Sequence, residues 1–328
     1  MTETASANPI SGKAVVSLVL GLLSVVFTVV TGVPALIVGF RSLREINQSD
    51  GRMRGWRLAI AGMVLGAVST LACVGAVMVI VIHKVRASAH RAECLNHLRQ
   101  MGMAIHMYHD HHDETFPPGT MPNKRLAAQE RLSWLASILP YYSDLDAANR
   151  RVETKSSTYY SIVEALHYDA AWDAEANAAA VNRVLRMFLC PADPAYAPAN
   201  EPGLTQYVGS AGLGLNAAEL KATDPRAGFF GYDRVIGPAD VKGDESTTMM
   251  VTETGQEIGP WAAGGPPTVR GLDIDKKPYL GKDRQFGGFH QGVVNILYVD
   301  GSARPFREDV SPEMFELLIP LNRGGEDQ

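Results

Sequence analysis

HKVRASAHRAECLNHLRQMGMAIHMYHDHHD, residues 83–113, follows the apolar run 58–82 without a helix breaker between them. Cys94, Leu98, Met101, Ile105, Tyr108 and His112 recur at alternating steps of four and three, which places them on one stripe of a helix. The spacing predicts a single long rod, membrane-embedded in its first half and packed on a domain in its second. FPPGTMPN, residues 116–123, ends the rod with three prolines and a glycine.

Upstream, residues 14–40 and 58–82 carry no charged side chain. Helices of that size reach roughly 37 to 40 Å, more than the ~30 Å hydrocarbon core, so each run is expected to span a bilayer with tilt or a bend. Gly32 and Pro34 offer the bend in the first. A cleaved signal peptide fits poorly: only Lys13 precedes the run, there is no clear small-x-small site, and the apolar stretch is too long. The loop between the runs holds Arg41, Arg44, Arg52, Arg54 and Arg57 against Glu45 and Asp50, which makes it cytoplasmic by the positive-inside rule. Both termini are then expected outside. The domain plan is a tail over 1–13, a two-helix transmembrane domain over 14–82, and an extracytoplasmic domain over 83–328 whose residues beyond Gly324 form a frayed tail.

Downstream, a second helix is expected from Arg125 to Leu139, stopping at Pro140, with an Ala-rich helical stretch before Arg186. From Cys190 the texture changes. CPADPAYAPANEPG reads as loop, and TTMMVTE and VVNILYV are short apolar runs separated by Gly, Pro and Asp. Helices first and strands last give an α+β class with an antiparallel sheet. In FHQGVVNILYVDGSARPF, residues 289–306, Asp300-Gly301 reads as a two-residue turn with positive φ at both positions. A strand over 293–299 holds His290 about 20 Å from Asp300, so the two cannot share a ligand. Asp300 is read as structural. His290 either pins the loop entering the strand or joins remote residues in a surface site.

Five pieces in this order, ECLNHLRQMGMAIHMYHDHHDETFPPG, LSWLASILPYY, FLCPADP, TQYVGSAG and FHQGVVNILYVDGS, resemble the bacterial prepilin-like family of unknown function named for a C-terminal His-X9-Asp-Gly motif. The resemblance covers roughly residues 91–326 and implies a type IV pilin-like domain, a long N-terminal helix whose distal half lies on an antiparallel sheet. Its motif and structural positions here are His290, Gly292, Asn295, Asp300, Gly301 and Ser302. The usual prepilin leader of the family, a Gly-Phe-Thr-type site followed by a Glu in the apolar helix, has no counterpart. Residues 14–82, with RGWRLAIAGMVLG, instead resemble a small two-span membrane domain of unknown function.

The net charge of −5 excludes the concentrated positive field of a nucleic-acid binder. Nucleophile elbows, zinc-protease helices, P-loops and Cys-x-x-Cys pairs are all missing, so an enzyme is not expected. Cys94 and Cys190 are the candidate disulfide of an oxidising compartment, while Cys73 is an inert apolar residue in the second run. Six of the nine histidines fall within residues 90–112. There the pairs His109 with Asp113 and His106 with Asp110, helped by His112, are weak candidates for a divalent metal; otherwise no cofactor is expected. Asp240, Asp244 and Glu245 are a calcium-loop candidate, and Trp134, Trp172 and Trp261 could stack sugars if exposed. The expected role is structural or interactive: a pseudopilin-like subunit or tether in the cytoplasmic membrane, partnered by the bilayer and by envelope or secretion proteins. The alternative is an extracytoplasmic metal-dependent or ligand-binding domain, with carbohydrate among the ligands.

Overall fold

The computed structural model describes residues 11–27, 29–49, 55–150, 153, 155, 157, 159–193 and 201–322. Arg52, Arg54, most of the N-terminal tail, the 194–200 part of the proline-rich loop and the tail beyond Gly324 lie outside the described residues. The chain divides into two units, Met1–Arg86 and Ala87–Gln328.

In the first unit the run over 14–40 is not one continuous helix. It is divided between α1 (Gly12–Phe27) and α2 (Val29–Gln48), which pack antiparallel. Ser11 Oγ meets Ser42 Oγ at 3.3 Å, Ser17 Oγ donates to the Ala35 carbonyl at 3.1 Å, and Lys13 pairs with Glu45. Small residues make the fold-back possible, because Ala14, Ser17, Ala35 and Ser42 are all buried and let the two backbones approach. Pro34 lies inside α2 and is not the bend. The Lys13–Glu45 pair sets the start of α1 beside the end of α2.

The third helix, α3 (Trp56–His111), starts in this unit. A Cβ on Gly62 would come within 2.3 Å of the Ser17 carbonyl oxygen, and one on Gly39 within 2.3 Å of Met63 Cγ, so glycine permits the contact of the three helices. Among the described residues α3 is the one helix long and apolar enough to cross a membrane. Val64, Val68, Leu71, Val77, Ile80 and Val85 are 52–71% exposed, an apolar surface that water does not favour and that extends round the helix from Leu71 to Ile82.

From Ala87 onward α3 belongs to the second unit, and the stripe is as the periodicity predicts: Cys94, Leu98, Met101 and Ile105 are fully buried. Tyr108 is half-buried, and His112 is exposed and stacked on the Tyr108 ring. The helix α4 spans Trp134–Arg150 and runs through Pro140 instead of stopping there. Proline removes one N–H bond, and burial of Trp134, Leu135, Ile138, Leu139 and Tyr142 outweighs that loss. A short α5 (Tyr160–Glu164) follows, and the Ala-rich stretch yields only a 3-10 turn at Glu175–Asn177 and the one-turn α6 (Ala178–Val181).

The strands are β1 (Leu204–Thr205), β2 (Tyr207–Leu213), β3 (Met249–Glu253), β4 (Gly259–Pro260), β5 (Val269–Leu272), β6 (Val293–Tyr298) and β7 (Ala303–Arg307). The main sheet has the order β5-β2-β3-β6-β7, and β1 pairs with β4 alone. It is mixed, not purely antiparallel, because β5 lies parallel to β2. Alternation along each strand loads both faces. Tyr207, Ala211, Leu297 and Val299 join α3 and α4 in one core, and Val208, Val294, Ile296 and Tyr298 join Phe315 and Ile319, from α7 (Pro312–Glu316) and just beyond it, in another.

The β6–β7 connection departs from the expected two-residue turn. Gly301 N donates to the Tyr298 carbonyl at 3.0 Å and Tyr298 N to the Ser302 carbonyl at 2.9 Å, a three-residue loop of Val299, Asp300 and Gly301. Only Gly301 has positive φ, +77°. Such a loop places one residue in the left-handed region and leaves the residue before it unstrained. Asp300 Oδ1 instead accepts from Ser302 N at 2.9 Å and Ser302 Oγ at 2.6 Å, and Oδ2 pairs with Arg304. This loop is where α3 docks: a Cβ on Gly102 would fall 2.9 Å from Leu297 Cδ1 and 3.3 Å from the Gly301 oxygen.

Gly301→Val is expected to lower unfolding stability by at least ~1 kcal/mol, since a β-branched residue is strained at positive φ. Asp300→Asn keeps the Oδ1 acceptor and loses only an exposed ion pair, a change within ~1 kcal/mol. Denaturant unfolding of both variants checks the contrast.

Candidate metal centre

Four side chains from four separate segments converge between α3 and the sheet. Cys94 comes from the buried stripe of α3. Cys190 follows a 3-10 turn at Arg186–Phe188, and its loop is clamped by Gln206, whose Oε1 accepts from Cys190 N at 2.6 Å and whose Nε2 donates to the Asp193 carbonyl at 3.0 Å. Glu253 ends β3 directly opposite Tyr207. His290 stands in the tight turn before β6, where it bridges to Val293 and Gly292 takes a φ of +76°.

The sulfurs of Cys94 and Cys190, a Glu253 oxygen and a His290 ring nitrogen all lie within 4.8 Å of one another. His290 Nε2 is 3.4 Å from Cys190 Sγ and 3.4 Å from Glu253 Oε1. Cys94, Cys190 and Glu253 are fully buried and His290 is 7% exposed. Asn295 orients the carboxylate: its backbone N donates to Glu253 Oε2 at 3.1 Å and its Nδ2 to Oε1 at 2.9 Å. Its own carbonyl accepts from Thr252 Oγ1 at 3.2 Å.

The electrostatics follow from this crowding. The hydrogen bond with Cys190, then burial and the Glu253 charge, push the Cys94 thiol strongly up. The same hydrogen bond, joined by His290, lowers Cys190 to about 7 against the opposing effect of burial. Burial alone would lower His290, but Cys190 and Glu253 outweigh it and raise the imidazole to about 9. One thiol therefore holds its proton and the other shares charge with an imidazole that also faces a carboxylate. Among the described residues both sulfurs lie in fully buried side chains.

The structure brings the two candidate cysteines together, as expected, but not into a disulfide; both are free thiols. The Cys190 sulfur is engaged by His290 instead. His290 does meet remote residues, though in a buried site and not at the surface. Glu253 was not among the candidates; its signal was a carboxylate closing the apolar strand TTMMVTE, where solvent-facing alternation is absent.

The histidine-rich end of α3 assembles differently from the expected metal pairs. His106, His111 and His112 each direct Nδ1 at the carbonyl four residues earlier, at 2.7–2.9 Å, and His109 Nδ1 faces Asp110 at 3.1 Å. Asp113 sits at φ +49° where the chain leaves the helix. Among the described residues, the buried quartet is the group of metal-type side chains with ligand atoms this close. In the calcium-loop candidate Asp240 caps Gly237 N and Asp244 Oδ1 accepts from Ser246 N, both local turn bonds. Trp134 and Trp261 are fully buried, and Trp172 Nε1 donates to the Gln129 carbonyl, so the sugar-stacking expectation fails for the first two. A groove of about 650 Å³ lined by Tyr232, Glu257, Arg270, Lys276 and Arg284 includes none of the motif residues.

Residues 83–313 match the family model described as protein of unknown function DUF1559, and residues 13–77 match a domain of unknown function, DUF4190. No curated protein and no solved structure matches the chain.

Asn295→Ala removes one charge-assisted bond from a fully buried carboxylate and is expected to cost about 2 kcal/mol of unfolding free energy. Asn295→Asp places a second carboxyl against Glu253 and is expected to cost more than the alanine change. Urea midpoints of the two variants, at equal slope, check the order.

Proposed function

We propose, for a chain that belongs to the family of unknown function DUF1559, the role of a membrane-anchored envelope protein that displays an α+β domain of type IV pilin-like plan outside the cytoplasmic membrane. The domain acts as a structural or interaction module and not as an enzyme. The observation that carries this reading is the double character of α3: apolar and exposed round its circumference between Leu71 and Ile82, then buried along one stripe from Cys94 to Ile105. A helix that turns from a lipid-type surface to a packing stripe without a break is the sequence economy of a pilin-like subunit.

The anchor consists of α3 as the crossing segment and the α1–α2 pair as a companion that returns to the side from which it starts. Arg41, Arg44 and Arg57 support a cytoplasmic side for the ends of that pair. The N-terminus then shares that side, and the domain after Ala87 is outside. Partners are the lipid bilayer and other envelope or secretion proteins. Burial of Trp134 and Trp261 weighs against the carbohydrate-binding alternative.

The protein is expected in the membrane fraction after alkaline carbonate extraction. Protease added to intact spheroplasts is expected to remove the large domain and spare a fragment containing α1 and α2. Recovery in the soluble fraction, or cleavage of the domain only after lysis, would overturn the anchor or its orientation respectively. Cross-linking in intact cells followed by pull-down of the full chain tests the interaction role.

A further inference from the structure

We propose that Cys94, Cys190, Glu253 and His290 form a four-coordinate site for a thiophilic divalent cation of the zinc class, which fastens α3 to the sheet. The geometry is that of a ligand cage. Around zinc, with bonds of ~2.0–2.1 Å to nitrogen or oxygen and ~2.3 Å to sulfur, tetrahedral coordination sets neighbouring ligand atoms about 3.3–3.8 Å apart. The two separations from His290 Nε2, 3.4 Å to sulfur and 3.4 Å to oxygen, are edges of that size, and every other separation in the quartet is within 4.8 Å.

The donor set selects the ion. Two sulfurs and an imidazole disfavour calcium and magnesium, which take oxygen ligands, and suit zinc. Four protein ligands and no open position describe a structural site, not a catalytic one. Asn295 supplies the outer contact expected of such a site, holding both Glu253 oxygens. Gln206 fixes the Cys190 backbone in the same manner. Loading releases protons to solvent: the Cys94 S–H and the imidazolium N–H dissociate as the sulfur and Nε2 lone pairs turn to the cation.

Separation along the chain gives the site its consequence. The ligands are spread over α3, the loop after Phe188, the end of β3 and the turn before β6, so one ion cross-links four segments separated by up to nearly two hundred residues. The inference goes beyond the proposed anchor role and holds whichever side of a membrane the domain faces.

The test uses the full chain in detergent, reduced and chelator-treated, titrated separately with Zn²⁺ and Co²⁺. One equivalent of Zn²⁺ is expected to bind and raise the thermal midpoint. Co²⁺ is expected to give the thiolate charge-transfer band and the intense visible bands of a tetrahedral centre. Cys94→Ser should weaken the charge-transfer band and Zn²⁺ affinity together, and Glu253→Gln should lower affinity by about tenfold or more. His109→Ala should leave both unchanged. A wild-type chain whose midpoint ignores Zn²⁺ and whose Co²⁺ spectrum lacks thiolate bands would overturn the proposal, as would bands that persist in Cys94→Ser/Cys190→Ser. Because the wild-type spectrum is decisive by itself, a variant that fails to fold does not remove the test.

Discussion

The apolar stripe of α3 against the inner face of the sheet is the contact on which the second unit depends. Leu98, Met101 and Ile105 are fully buried, and each such side chain contributes about 1.5–3 kcal/mol relative to exposure. Their partners come from distant parts of the chain: Tyr207 and Ala211 on β2, and Leu297 and Val299 at the end of β6. The same contact sets Gly301 against the helix and brings Cys94 beside Glu253.

That contact was readable from residue spacing because a helix of fixed pitch converts sequence separation directly into a face. The same logic failed where small residues decided the outcome. Residues 14–40 read as one span by length and lack of charge, yet Ala14, Ser17, Ala35 and Ser42 allow the chain to double back, and hydropathy does not register that difference. At Pro140 a local helix-stop signal lost to the burial of Trp134 and Leu139 on α4. The parallel β5 was hidden because VRGL is too short to carry a direction.

For the site, two ligands were legible and two were not. Cysteines at 94 and 190 were paired by their positions on a stripe and at the head of a loop. His290 was singled out without its neighbours, because the turn through Gly287, Gly288 and Gly292 that aims its ring takes left-handed backbone angles at those glycines. Glu253 escaped notice since its partner Asn295 lies on the neighbouring strand β6, 42 residues along the chain and outside any local pattern. The histidines that looked most like ligands instead bond their own helix or an adjacent carboxylate.

The interval from His290 to Asp300 acts as a ruler with parity. His290 belongs to the turn before β6 and Asp300 to the loop after it, and between them alternate residues face opposite cores: Asn295 and Leu297 toward α3, Val294 and Ile296 toward α7. Adding or deleting a single residue in that interval would exchange the faces. Asn295 would swing its amide into the apolar cluster around Phe315, and Glu253 would be left holding a buried charge against a hydrocarbon side chain. The spacing is thus constrained by odd and even, not by length alone.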